Sequence, residues 1–315
     1  MAPITDNFIQ PFQLENIAAR GRMVRLGKVV EDVLGNHDYP EPVALLLGEL
    51  LALAALVSGA LKFDGVFTVQ AKGDGPVKTL VADINTDGNM RGYAQFDEER
   101  LDAELRGADP DGWRDCPVPR LLGAGYLAFT VDQGPDTERF QGIVELVGAQ
   151  LADSAHNYIR QSEQLDAVVL LASGIVPGPT GGAEWRAGGV MIQRLPNKGR
   201  RLLSGETRDD KDEDDWVRAV ALMSSTSQDE LLNVALHPHD LLYRLYYEDG
   251  VRVFESRSLA MFCRCTQEKV VGMLQSFPRT EIEQMTVDDE VVVTCEFCGL
   301  NYKFDQTDLN DVYAS

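Results

Sequence analysis

Period-two alternation runs through much of the first two-thirds of the chain, and helical spacing takes over afterwards. From Gly65 to Lys72, Val66, Thr68 and Gln70 alternate with Phe67, Val69 and Ala71, which predicts a strand with one buried face. Gly73-Asp74-Gly75-Pro76 supplies a turn, and residues 77–84 make the second strand of a hairpin. The turn glycines do not form a phosphate loop, because no Lys-Ser or Lys-Thr follows and strands stand on both sides. Asp87-Gly88-Asn89 turns the chain into a third short strand ending at Tyr93. Further strands fit residues 126–131, 140–146, 167–171 and 190–193, with a helix near 149–161. Strands joined by short turns and followed by a helix predict an α+β class, with a large N-terminal mixed α/β core domain over residues 1–196.

The longest apolar run, residues 43–61, has the length of a membrane span. A carboxylate near its middle, Glu49, is costly in lipid. Gly48, Ser58 and several alanines dilute its apolarity, and basic anchors are sparse. The run therefore predicts a helix buried in a globular core.

After Gln193-Arg194-Leu195-Pro196 the composition shifts, through a basic patch at Lys198, Arg200 and Arg201, to an acidic run from Asp209 to Asp215 that reads as a solvated loop. Helical signals follow. Trp216, Val220 and Met223 share a face, Ser227 and Glu230 form a capping box before Leu231 and Leu232, and Asp240 is placed to cap Leu241, Leu242, Leu245 and Tyr246. Residues 197–258 thus read as a helical linker packed on the core. If its neighbour unfolded, these helices would loosen and expose Leu, Trp and Tyr surface.

The chemistry is concentrated beyond the linker, in residues 259–315. Four of the five cysteines lie there, as Cys263-Arg264-Cys265 and Cys295-Glu296-Phe297-Cys298. Sulfurs at i and i+2 of an extended segment point the same way. The second pair stands between strand-like runs at 291–294 and 302–304, with Gly299 easing the tight turn. Four thiolates converging on one site select zinc or an iron cluster, and paired knuckles favour zinc. Two fixed disulfides are the alternative, and nothing in the sequence marks a secreted protein. Four sulfurs close the coordination shell, so the metal is structural, no catalytic residue is expected, and the chain does not read as an enzyme. His237 and His239 lie upstream and read as surface or packing residues, and Cys116 reads as a loop bystander.

Thr266 is placed to cap a helix carrying Val270, Met273, Leu274 and Phe277 on one stripe. Thr280 is placed to cap a further turn, before Asp288-Asp289 leads into the hairpin. A module this small needs a staple. Structural zinc supplies about 10–16 kcal/mol in peptides, comparable to the total stability of a domain. Each sulfur has a neighbouring thiol, so oxidation through sulfenic acid to a disulfide would remove the ligands and the folding energy together.

The length of 315 residues, with 44% hydrophobic content, suffices for one large core plus a smaller unit. A formal net charge of −21 repels nucleic-acid phosphates and anionic lipid, so neither nucleic acid nor membrane is an expected partner. No signal peptide is visible at the N-terminus, and the free thiols point to the cytoplasm.

Over nearly its full length the chain resembles the 33 kDa redox-regulated heat-shock chaperonin family. The resemblance is carried by Cys263-Arg264-Cys265 with Cys295-Glu296-Phe297-Cys298-Gly299, by Leu46-Leu47-Gly48-Glu49, and by Val69-Gln70 with Gly73-Asp74-Gly75-Pro76-Val77. It continues in Tyr158 through Gln161-Ser162-Glu163-Gln164, and in Gly188-Gly189 leading to Gln193-Arg194-Leu195-Pro196. The acidic run stands outside it. The resemblance implies an ATP-independent holdase for unfolding client proteins, inactive while reduced and zinc-bound. It further implies activation by disulfides 263–265 and 295–298 with zinc release and unfolding of the tail and linker, and a homodimer when oxidised. Cys263, Cys265, Cys295 and Cys298 then serve as zinc ligands and redox centres. A thiol-disulfide oxidoreductase, suggested by the CxxC spacing, and a constitutive zinc-ribbon adaptor are the alternatives.

Overall fold

The structure, a computed structural model, describes residues 6–107, 109, 111–134, 137–163, 166–178, 181–195, 208–287 and 289–314. Gln164, Pro196, the basic patch at Lys198, Arg200 and Arg201, and Asp288 lie outside the described residues.

The chain opens with β1 (Phe8–Leu14), β2 (Ala19–Leu26), α1 (Lys28–Leu34) and α2 (Glu41–Ser58). It continues through β3 (Val66–Gly73), β4 (Val77–Asn85), β5 (Asn89–Phe96), α3 (Glu98–Leu105), β6 (Gly125–Asp132), β7 (Phe140–Glu145), α4 (Leu151–Tyr158), β8 (Ala167–Pro177) and β9 (Ala183–Arg194). The last third holds α5 (Arg208–Ser224), α6 (Gln228–Leu232), α7 (Pro238–Tyr246), β10 (Val251–Val253), β11 (Arg257–Ser258) and β12 (Ala260–Met261). The tail is α8 (Gln267–Gln275), α9 (Arg279–Glu283), β13 (Val291–Thr294), β14 (Asn301–Phe304) and α10 (Gln306–Ala314).

Two sheets enclose α2. The first runs β10-β1-β2-β9-β8, with β11 also on β1; the second runs β12-β5-β4-β3-β6-β7. Val43, Leu47, Leu50, Leu51, Leu53 and Leu56 are fully buried between them, so the long apolar run is a core helix. The alternation that predicted β3 places Phe67, Val69 and Ala71 against α2 and leaves Thr68 on the outer face. The 73–76 turn closes the β3–β4 hairpin as expected. Its glycines are required because a Cβ at Gly73 or Gly75 would stand 2.0 or 2.4 Å from the carbonyl oxygens of Leu122 and Leu121.

The first sheet is buried on both faces. Ile9, Val24, Leu26, Val169, Ala187 and Met191 face α2. Phe12, Leu14, Met23, Val190 and Ile192 face a second core completed by Trp216, Met223, Leu241, Leu242 and Tyr246 of α5 and α7. The linker helices therefore cover one outer face of the molecule and shield an apolar sheet surface. Arg25, buried on that side, ties them down: its guanidinium donates to the carbonyls of Leu236 (2.6 Å) and Glu230 (3.3 Å). Burial lowers its pKa to about 10, which leaves it charged at neutral pH. Arg25→Ala will orphan two carbonyls at a cost of about 1–3 kcal/mol. Amide hydrogen exchange in α6 and α7 is then expected to quicken about ten- to a hundredfold.

Several local expectations are corrected. The acidic run is not a loop, because Asp209–Asp215 opens α5. Carboxylates suit a helix N-terminus, where the backbone amides carry partial positive charge. The cap of α7 is His237, whose Nδ1 accepts from the His239 N–H (3.1 Å), and Asp240 sits inside the first turn. Thr280 likewise lies inside α9, behind Pro278. The capping box of Ser227 and Glu230 forms.

Burial in α2 pushes the Glu49 carboxyl up to about 7 from 4.5. Between those values the native state holds a proton that the unfolded chain has released, so stability falls as pH rises through the window, by up to about 3 kcal/mol. Urea midpoints at pH 5 and pH 8 will show this slope, and Glu49→Gln will flatten it.

Candidate metal centre

The edge of the second sheet leads the first cysteine pair into position. β12 lies parallel to β5, and the Phe262 N–H donates to the Met90 carbonyl (3.0 Å). The chain then leaves the ladder, and Cys263 and Cys265 come together with Arg264 between them directed towards the core. There the Arg264 Nη2 donates to the buried Asp83 Oδ2 of β4 (2.8 Å). Asp83 also accepts from Arg91 Nε (2.9 Å) and from Thr68 Oγ1 (2.6 Å). One carboxylate on the outer face of the sheet thus anchors the residue between two cysteines.

The second pair occupies the turn between β13 and β14. The Cys295 N–H donates to the Leu300 carbonyl (2.9 Å), and the Gly299 N–H donates to the Cys295 carbonyl (2.8 Å). Gly299 adopts φ 69°, and a Cβ there would stand 3.0 Å from the Asn36 carbonyl, so glycine is required. Phe297, inside this pair, packs edge-on against Tyr93 of β5 at 4.8 Å. The Arg91 guanidinium lies 3.7 Å from its ring centre. Both cysteine pairs are therefore seated on the same outer face of the second sheet.

The four Sγ atoms lie within 4.8 Å of one another. Cys263 and Cys295 are 3.7 Å apart, and Cys265 and Cys298 are 3.5 Å apart. A tetrahedral ion bound by thiolates at about 2.3 Å sets its sulfurs about 3.8 Å apart, so the cluster fits a single metal ion. Burial opposes ionisation of Cys263, but hydrogen bonds from the Cys265 N–H and the neighbouring thiols outweigh it and lower this thiol to about 7. Cys295 and Cys298 are raised, by burial first. Ionisation is thus favoured at Cys263 and opposed at Cys295 and Cys298; a divalent cation at the centre would make four thiolates compatible. Tyr302 is pushed up to about 12 by its hydrogen bond with Cys265.

The tail has its own small core of Leu274, Ile282, Val291, Phe304, Leu309 and Val312. Thr266 caps α8 as expected, accepting from the Lys269 N–H (3.3 Å). Of the predicted stripe, Leu274 is buried and Val270 partly so, whereas Met273 and Phe277 are exposed. His237 and His239 pack on each other, and His239 bonds Gln10 (3.0 Å), away from the sulfurs. Cys116 lies outside the cluster, ahead of a π-helical turn at Val118–Leu122. Sequence reasoning missed Asp83, Arg91 and Tyr93; the one local signal was that Arg264 and Phe297 fill the positions between the cysteines.

A family model described as Hsp33 protein matches residues 7–305. The chain belongs to the Hsp33 family. A 33 kDa chaperonin of Caulobacter vibrioides (strain NA1000 / CB15N) is 43% identical over 304 residues, 96% of each chain. The 33 kDa chaperonin of Serratia proteamaculans (strain 568) is 34% identical over 304 residues, 96% of this chain and 94% of its own. The crystal structure of the 33 kDa chaperonin from Thermotoga maritima shares the Hsp33 fold, with a TM-score of 0.76 at 23% identity and 97% of each chain covered. The expected family and mixed α/β class are thereby borne out, as is the C-terminal four-cysteine cluster.

Proposed function

We propose that this chain is a cytoplasmic, ATP-independent holdase, idle while Cys263, Cys265, Cys295 and Cys298 hold zinc and switched on by oxidation. The supporting observation is that the four sulfurs close on one another while Arg264 and Phe297, the residues between them, dock the tail on the core. Zinc, when bound, supplies a cross-link between two segments about thirty residues apart in a tail too small to hold itself.

The switching step needs a peroxide-class oxidant. A thiolate attacks one peroxide oxygen, the O–O bond breaks, and the sulfur becomes a sulfenic acid while the other oxygen leaves as water after protonation. The neighbouring thiol then displaces the sulfenic hydroxyl as a second water, forming the disulfide; the two sulfurs are oxidised by two electrons and the peroxide is reduced by two. Bonds 263–265 and 295–298 each remove two donors. With the donor set gone, Arg264 and Phe297 lose the scaffold that aims them at Asp83 and Tyr93. The strap of β10, β11 and β12 links that face to the linker helices on the opposite side. Loosening it would uncover the apolar face bearing Phe12, Leu14, Met23, Val190 and Ile192, a surface suited to unfolding clients. The oxidised form is proposed to be a homodimer, and neither nucleic acid nor membrane is a proposed partner.

The CxxC pair lies in a hairpin turn, without the helix N-terminus that activates oxidoreductase thiols. The test is to follow zinc content, thiol count and suppression of client aggregation on one sample through peroxide treatment. Zinc loss, loss of four thiols and gain of holdase activity are expected together. Holdase activity equal in reduced, zinc-loaded protein would refute the switch.

A further inference from the structure

Leu46-Leu47-Gly48-Glu49 is not used by the metal centre or its docking surface. Glu49 opens onto a cleft of about 310 Å³ on the far side of α2 from the tail's supports, walled by Trp113, Trp185, Leu45 and Ile175 and flanked by the amides of Gln150 and Gln228. Among the described residues no group donates a hydrogen bond to the Glu49 carboxylate, and the half-buried residue opens to the cleft. The other charged groups facing the cleft are Glu41 and Arg114, which pair with each other at 3.0 Å; Arg114 also pairs with Asp111 at 3.7 Å. Once that pair is set aside, Glu49 is the remaining ionisable group of the cleft, negative when it releases its proton.

We propose that this cleft binds an organic monocation, an alkylguanidinium or alkylammonium group whose charge rests on Glu49 and whose alkyl stem lies against the tryptophan walls. Each feature fits that chemistry. The carboxylate supplies an acceptor for a charged N–H donor, and ion-paired hydrogen bonds are the stronger kind. Aromatic faces favour cations and alkyl groups alike. The volume lies at the lower end of small-ligand sites, enough for a ligand of arginine side-chain size. A cation compensates the ionised carboxylate, whereas an anion would oppose its ionisation and a neutral ligand would leave it to keep its proton. Burial holds the Glu49 carboxyl near 7, so a bound cation is expected to ionise it, and binding is expected to tighten as pH rises through 7.

The test uses the full-length, reduced, zinc-loaded protein and n-butylguanidinium, with the neutral isostere n-butylurea for comparison. The three tryptophans report by their indole N–H resonances, assigned through single Trp→Phe variants. Trp113 and Trp185 line the cleft, and Trp216 lies in the other core as an internal reference. Saturable shifts of Trp113 and Trp185 without Trp216 are expected, at least tenfold tighter for butylguanidinium than for butylurea and tighter at pH 8 than at pH 6. Glu49→Gln, its fold checked by the Trp216 resonance and thermal midpoint, is expected to weaken binding at least tenfold and abolish its pH dependence. Competition by an arginine-containing peptide but not its alanine counterpart would identify protein side chains as the source; binding confined to the free cation would identify a small metabolite. Equal affinity for butylurea, or unchanged affinity in Glu49→Gln, would overturn the proposal. Neither outcome depends on the redox reading.

Discussion

Stripping zinc from the reduced protein will unfold residues 267–314 and leave the two-sheet core intact. The tail's buried core consists of Leu274, Ile282, Val291, Phe304, Leu309 and Val312, and so few side chains cannot offset ordering costs of about 1–2 kcal/mol per residue. The core, by contrast, packs α2 between two sheets and does not use the sulfurs. Amides of α8, β13 and β14 are therefore expected to lose at least about a thousandfold in exchange protection, the equivalent of about 4 kcal/mol. Those of β3 and β4 will change little. Cys298→Ser, which breaks the ligand set without a chelator, will reproduce the pattern. A tail that keeps its protection without metal would show that the apolar cluster suffices.

Asp83→Ala will release the tail from the core without touching a sulfur. Asp83 is the acceptor shared by Arg264 and Arg91, with its side chain only 7% exposed. Removing one partner of a buried ion pair costs about 3–5 kcal/mol. The two arginines are 18% and 25% exposed, and solvent screening brings the expected cost to about 2–3 kcal/mol. Arg91 also loses the contact that holds it beside Phe297. The variant is expected to retain its metal, lose four thiols to peroxide at least tenfold faster than the parent, and gain holdase activity at milder oxidant. Asp83→Asn, which still accepts hydrogen bonds, will fall between. Thiol loss at the parental rate would mean that docking does not guard the sulfurs.

Legibility followed the range of the interactions. The cysteine cluster was readable because its chemistry is written in two short spacings, and β3 was readable because one face is buried and one is not, whereas β4, buried on both faces, was readable from the turn that precedes it. β1 and β2 escaped notice. Their strands are buried on both faces, Pro11 interrupts one, and Arg22 and Arg25 stand in the other at positions that look solvated but are buried. β8 and β9 run further than the expected 167–171 and 190–193, because the sheet continues through Gly174, Gly188 and Gly189. The acidic opening of α5 has a composition shared by loops and helix starts. The Asp83 anchor joins residues 181 positions apart, a pairing no local pattern discloses.

The account rests on sulfur holding the tail folded and folding holding the tail on the core. The most direct measurement is hydrogen exchange on one zinc-loaded sample before and after peroxide, with bound zinc quantified in parallel. The account predicts that zinc departs as protection vanishes from residues 267–304, that α6 and α7 follow, and that β3 and β4 stay protected. Loss of zinc with the tail still protected would contradict it.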